Sequence, residues 1–359
     1  MSFEVSVNSL SLNECILTVG DTFTTPTERM FDAMLNATLG DDVYEEDETV
    51  AKLESVISQM AGKEASLFVA SGTMSNQLAI RTHLKQPPYS VLCDHHSHVY
   101  IDEAGGCAII SQALVTPVKP SNGKYITARE VEENLILGTD IHSAPTRLIC
   151  LENTIWGCIV PLEEMKAIYE LAKKHGILVH LDGSRLWHAS ASTGISIADY
   201  CKYADSISLC FSKGLCAPFG SCLVGTKEFI SKSRWFRKAI GGGLRQSGIM
   251  AAAALVALED SLPKLQAVHE MTGEVSKYFT DSLGMKLTLP SDTNMIWLDL
   301  KREGITDEMV KSEAKSQGIG LMDERIVFHI YHTQNSVEKL KKVFEELLKK
   351  RNCSNSNSA

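Results

Sequence analysis

Ser206-Ile207-Ser208-Leu209-Cys210-Phe211-Ser212-Lys213-Gly214 is a largely apolar run that ends in a lysine between small residues. Ser206 to Cys210 reads as a strand, and similar short runs stand upstream at Ala65 to Ala70, Ser90 to Cys93, Arg147 to Leu151 and Ile177 to Leu181. Helical patterns lie between them. Thr49 to Met60 spaces Val50, Leu53, Val56 and Ile57 for one helix face, Ser71-Gly72-Thr73 opens a helix through Thr82, and Glu163 to Lys174 is another. Strand-helix alternation with buried-looking strands predicts an α/β fold, its sheet mostly parallel and covered on both faces.

Gly241-Gly242-Gly243 is expected to start an alanine-rich helix running to about Ser261, and Pro263 to begin another. The pattern then changes to a strand (Thr293 to Leu300), a helix (Thr306 to Gln317), a strand (Arg325 to Tyr331) and a helix (Val337 to Lys350). The expected organisation is an N-terminal segment (1–20), a large sheet domain (21–262), a small α+β domain (263–351) and a disordered polar tail (352–359).

The 359 residues are 44% hydrophobic and 22% charged, the ordinary globular balance. A net charge of −9 argues against a general nucleic-acid binder. Ten cysteines form no C-x-x-C pair, which removes zinc-ribbon and redox-motif readings. Most lie in apolar runs, as suits a reducing compartment. With no secretory leader and no membrane-length apolar run, a cytoplasmic location is expected, without membrane partners.

Three features carry chemistry. Ser71-Gly72-Thr73 sits at a strand-to-helix junction, where free backbone N–H groups and the helix dipole favour an anion; the ordinary alternative is a helix N-cap. Asp182, in His180-Leu181-Asp182-Gly183-Ser184-Arg185, ends an apolar strand where open α/β sheets bind ligands. A carboxylate there can pair with a protonated pyridine nitrogen; the alternative is a structural turn with an Asp–Arg pair. Lys213, 31 residues further on, can form a Schiff base, or be a solvated loop lysine. In this order the three outline a pyridoxal 5′-phosphate (PLP) site of the aspartate aminotransferase type.

At these residues the chain resembles the low-specificity threonine aldolases, PLP enzymes of fold type I. The resemblance runs from about Asp21 to the late helices. It is carried by Asp21-Thr22-Phe23-Thr24-Thr25-Pro26-Thr27, Gly40-Asp41-Asp42-Val43-Tyr44, Phe68-Val69-Ala70-Ser71-Gly72-Thr73-Met74-Ser75-Asn76-Gln77 and Leu151-Glu152-Asn153-Thr154. Leu181-Asp182-Gly183-Ser184-Arg185, Ser212-Lys213-Gly214-Leu215-Cys216-Ala217-Pro218-Phe219-Gly220-Ser221 and Gly241-Gly242-Gly243-Leu244-Arg245-Gln246-Ser247-Gly248 complete it.

The resemblance implies that Lys213 bonds the cofactor, Asp182 meets its ring nitrogen, and Ser71, Gly72 and Thr73 hold its phosphate. His98 would lie on the ring and take part in proton transfer. Arg185 and Arg325 would clamp the substrate carboxylate, with Tyr44 also on the substrate side. Lys238 and Arg245 would approach the phosphate of a neighbouring subunit in a homodimer or homotetramer with shared sites. The implied reaction cleaves L-threonine, L-allo-threonine or a related β-hydroxy-α-amino acid to glycine and an aldehyde. Alanine racemisation on the same scaffold, and a PLP-binding protein without activity, are the alternatives.

A metal-dependent hydrolase is a further rival, because Asp94-His95-His96-Ser97-His98 has the look of a ligand cluster. No second cluster accompanies it in the sequence, and no metal is expected. The chain also departs from the family pattern. Val19-Gly20 replace an Arg-Ser pair, Glu45 a glycine and Ser184 an alanine, and Ile155-Trp156-Gly157-Cys158 forms a shorter, more apolar loop. These changes fall on the substrate side rather than on the cofactor residues.

Overall fold

Seven strands make the main sheet: β1 (Ala65–Val69), β2 (Ser90–Asp94), β3 (Leu114–Val118), β4 (Thr146–Glu152), β5 (Leu178–Asp182), β6 (Ser206–Cys210) and β7 (Ser221–Gly225). Their order is β1-β7-β6-β5-β4-β2-β3. The pairs β2–β3, β2–β4, β4–β5 and β5–β6 are parallel; β1–β7 and β6–β7 are antiparallel. Two reversals leave β1 running the same way as β6. The carboxyl ends of β1, β2, β4, β5 and β6 therefore open on one edge, where α/β sheets place ligand sites.

This computed structural model describes residues 20–356, and the chain divides into two units. The larger is Thr25–Gln266; the smaller comprises, among the described residues, 20–24 and 267–356. Residues 1–19, most of the expected N-terminal segment, lie outside the described residues.

In the larger unit β2, β6 and β7 are buried at every residue; β2 and β7 are apolar between their ends, whereas β6 buries Ser206 and Ser208 in alternation with Ile207 and Leu209. The sequence reading missed β3 and β7. Edge strand β3 contains Pro117, whose lack of an N–H is tolerated only at such a position. Strand β7 enters antiparallel between β1 and β6, so strand-helix alternation gives no signal for it.

Helix Glu48–Ala61 is capped by Asp47, whose side chain accepts from the N–H groups of Thr49 and Val50, and stops at left-handed Gly62. The alanine-rich helix is Gly248–Asp260 and does not begin at the three glycines as expected. Consecutive glycines disfavour helix, and Gly241 takes a φ of 84°.

A buried charge network ties the outer helices to β1. Arg237, in helix Lys227–Ala239, donates from Nη1 to the Phe68 carbonyl at 2.7 Å and lies 2.9 Å from the Asp42 carboxylate. Arg234 pairs with Glu54 at 2.6 Å, and Glu54 accepts the Phe68 N–H at 2.8 Å.

In the smaller unit β8 (Met295–Trp297) and β9 (Arg325–Val327) form an antiparallel pair. Both are shorter than the predicted strands. Beyond them Asn294 closes the ladder itself: its carbonyl accepts the Phe328 N–H at 2.8 Å, and its side-chain Nδ2 donates to the Phe328 carbonyl at 2.9 Å. Phe279, Phe328 and Phe344 anchor this unit's core. Its last helix is Gln334–Ser356, which overlaps the start of the expected tail; 357–359 lie outside the described residues. No helix among the described residues is long and apolar enough to cross a membrane.

Replacing Arg237 by Met removes the nearer partner of the nearly fully buried Asp42 carboxylate and leaves it only Arg234, 3.8 Å away. It is expected to lower stability by about 3–5 kcal/mol in urea unfolding of the cofactor-free protein. A loss below about 1 kcal/mol would mean that the network does not hold β1 in place.

Candidate active site

Asp182 ends β5 and is almost fully buried. Its Oδ2 accepts from Asn76 Nδ2 at 2.6 Å, and its Oδ1 from the Ser184 N–H at 2.9 Å. Burial alone would raise its pKa. The Lys213 charge, the Ser184 bond, His98 and Asn76 together outweigh that and hold the carboxyl below its ordinary range. Lys213, just past β6, is thus in the electrostatic neighbourhood of Asp182, and its charge also acts on Glu152 and His98. Gly214 beside it is required by packing: a Cβ there would stand 2.3 Å from His188 Nε2.

His98 leaves the histidine run. Its backbone N–H donates to Glu152 at 2.8 Å, and its Nδ1 lies 2.7 Å from Glu103 Oε1. The Glu103 bond, opposed by burial, raises the His98 pKa. Asp94, His95 and His96 stay together as a separate group, with the His96 ring tilted against Trp156 at 3.8 Å between ring centres. The run is therefore not one ligand cluster. The ligand atoms of His98, Glu103 and Asp182 also lie within 4.8 Å of one another, and Asn76 Nδ2 bridges the two carboxylates.

Ser71 Oγ accepts the Met74 N–H at 3.1 Å, so it is the N-cap of helix Gly72–His83, and its position remains that of an anion site. Gly72 and Thr73 follow in the first turn, both half-buried. Around Gly72 there is a cradle: a Cβ would meet Ser184 Oγ at 3.1 Å, and the buried Ser221 Oγ nearby has no hydrogen-bond partner among the described residues. An ionised buried carboxylate, a lysine charge beside it, and a hydroxyl-lined helix N-terminus are the donor set that PLP requires.

Arg185 is half-buried, directly before helix Leu186–Thr193. Tyr44, Lys238 and Arg245 are exposed, and Arg245 pairs with Asp41 at 2.6 Å within its own chain. Arg325 belongs to the smaller unit, on β9, with its guanidinium 5.8 Å from the Trp297 ring centre.

Sequence reasoning gave no role to Asn76, Gln77, Glu103 or Glu152. A signal existed for the first two. Ser75-Asn76-Gln77 is a polar run inside a helix that packs on the sheet, and all three are buried. Glu103 has no local signature; its partners Asn76, Gln77 and His98 meet it only through the fold.

The model of the beta-eliminating lyase family matches residues 19–303. The chain is 51% identical over 330 residues to a Schizosaccharomyces pombe protein named "probable low-specificity L-threonine aldolase", covering 92% of this chain and 86% of the relative. The chain belongs to the beta-eliminating lyase family, among the threonine aldolases. At 38% identity over 94% of this chain and 89% of the relative, it also matches the alanine racemase TOXG of Cochliobolus carbonum. The solved structure of a Leishmania major threonine aldolase shares the fold, with a TM-score of 0.79 at 19% identity over 92% of this chain and 98% of that one.

Within this family pattern the departure at Glu45 has a physical side. Its φ of 61° is left-handed, the conformation that favours the family's glycine. The Glu45 side chain instead lies 3.6 Å from Arg234.

Burial, with the Asp182 charge adding to it, pushes Glu152 from 4.5 up to about 8. The folded state therefore holds a proton that the unfolded chain releases near pH 4.5. The stability this contributes is fully present below pH 4.5 and is lost as pH rises through about 8. Glu152→Gln should flatten that decline in cofactor-free protein, measured by urea unfolding from pH 5 to 9. Parallel pH curves for the two proteins would refute the neutral carboxyl.

Proposed function

We propose that this enzyme is a PLP-dependent carbon–carbon lyase. It cleaves L-threonine, L-allo-threonine or a related β-hydroxy-α-amino acid to glycine and an aldehyde. The observation that carries the reading is the buried Asp182 carboxylate, kept charged beside Lys213. The names of the similar proteins support the same reaction.

In this reading Lys213 holds the cofactor carbonyl, Asp182 the ring nitrogen, His98 the ring face, and Ser71, Gly72 and Thr73 the phosphate. When bound, PLP supplies a protonated pyridine ring that takes up the electron pair as the Cα–Cβ bond breaks. Asp182 stays ionised to keep that nitrogen protonated. Arg185 and Arg325 bind the substrate carboxylate in two-point fashion, and Tyr44 contributes on the substrate side. This orients the Cα–Cβ bond. His98, its Nδ1 fixed by Glu103, is suited to accept the β-hydroxyl proton on its other ring nitrogen.

The working form is proposed as a homodimer or homotetramer in which Lys238 and Arg245 reach a neighbour's phosphate. Trp235, 79% exposed, and Tyr44, 71% exposed, are large side chains suited to such an interface. A reducing, cytoplasmic setting suits the eight buried thiols among the described residues.

Purified protein should release acetaldehyde and glycine from L-threonine or L-allo-threonine. Lys213→Ala should retain about a thousandth of that rate or less. Borohydride reduction and peptide mapping should mark Lys213. Conversion of L-alanine to D-alanine, with no aldehyde from any β-hydroxy amino acid, would replace this reading by racemisation.

A further inference from the structure

A continuous hydrogen-bond chain leads away from the back of Asp182. Asn76 Nδ2 donates to Asp182 Oδ2 at 2.6 Å, and Asn76 Oδ1 lies 3.0 Å from His180 Nε2. His180 Nδ1 is 2.8 Å from Ser206 Oγ, which is 2.7 Å from His83 Nε2. His180 and Ser206 are fully buried. Asp182 is the last residue of β5 and Ser206 the first of β6, so the chain runs from the ligand edge of the sheet to the opposite edge. There the His83 ring stacks on Phe229 at 4.5 Å and helps to line a groove with Arg81, Lys85 and Phe236.

The donors along this path follow from counting, with one branch at Asn76 Oδ1, which also accepts from Ser208 Oγ at 2.8 Å. An ionised carboxylate only accepts, so the Asn76 amide nitrogen faces Asp182 and its oxygen faces His180. Burial takes His180 down to about 4 and His83 to about 3, so near neutral pH each ring carries one N–H. His180 must then bear its proton on Nε2 and accept at Nδ1 from the Ser206 hydroxyl. Ser206, having given its only proton, accepts from His83 Nε2–H. Every donor points toward Asp182, and aligned donors polarise one another.

We infer that Asn76, His180, Ser206 and His83 are positioning residues for Asp182, forming one directed chain through which a change at His83 is felt at the cofactor site. The inference rests on Asp182 as the partner of the ring nitrogen. The chain fixes the carboxylate orientation and strengthens the bond from Asn76 that keeps it charged.

The test is a double-mutant cycle read by the equilibrium dissociation constant of PLP. His83→Phe keeps a ring on Phe229 and removes the donor; it should weaken PLP binding about twofold to fivefold. His180→Leu breaks the chain and should weaken it about tenfold to a hundredfold, while His180→Gln, which can still donate to Asn76, recovers most of the loss. In the His180→Leu background His83→Phe should have no further effect. Additive losses, or none from His83→Phe, would overturn the chain.

Nitrogen-15 NMR of the cofactor-free wild type is independent of how the variants fold. Both rings should be Nε2–H tautomers, and Nδ1–H on either one would overturn the inference. Asp182→Asn examines the underlying reading separately: unchanged PLP affinity in that variant would remove the ring-nitrogen role, whatever the chain variants do.

Discussion

The site depends on keeping one carboxylate charged inside the sheet. Moving an ion from water into a protein interior costs several kcal/mol unless other groups compensate. At Asp182 the compensation is complete enough that the pKa ends below its ordinary value: a lysine charge, a backbone N–H, an amide and a nearby histidine all act on it. Each comes from a different element. Lys213 follows β6, Ser184 follows β5, Asn76 rides the helix after β1, and His98 follows β2. The mostly parallel sheet brings these ends to one edge, so the topology and the electrostatics are a single requirement.

A contrast with Glu152 shows how local this balance is. Glu152 ends β4, paired in register with Asp182, and is half-buried where Asp182 is almost fully buried. It accepts the His98 N–H, but it also faces the Asp182 charge, and its pKa rises to about 8. Two neighbouring carboxyls are thereby driven apart, one charged and one neutral at pH 7. Like charges so close cannot both ionise without a counterion each, and Asp182 has the stronger set. Glu103 completes the arrangement, taking N–H groups from Asn76, Gln77 and His98. His98 and the ionised Asp182 are thus held by one shared polar core.

Much of this was legible beforehand. The strands that bear Asp182 and precede Lys213 are legible to within a residue of their bounds, as short segments with branched apolar residues, although β5 also buries His180 and β6 buries Ser206 and Ser208. The helix after Ser71 was legible from its cap. The strands β3 and β7 were not, one for its proline and one for its direction. The glycine triplet is a poor marker for helix Gly248–Asp260, since it follows the end of helix Lys227–Ala239 and terminates rather than starts regular structure. In the smaller unit the strands came out short because Asn294 supplies with its side chain what a longer strand would supply with its backbone.

The sequence by itself determined the fold class and the identity of the chemical groups. Periodicity reports burial, and a lysine or aspartate at a strand end lies at a place set by local chain geometry. Only the tertiary structure decided the partners: that Asn76 bonds Asp182 across 106 positions, that Glu103 orients His98, and that the His95–His96 pair parts from His98. The reason is physical. Hydrogen bonds and Coulomb interactions act over a few ångströms, and separation along the chain carries no information about such distances until the sheet has closed them.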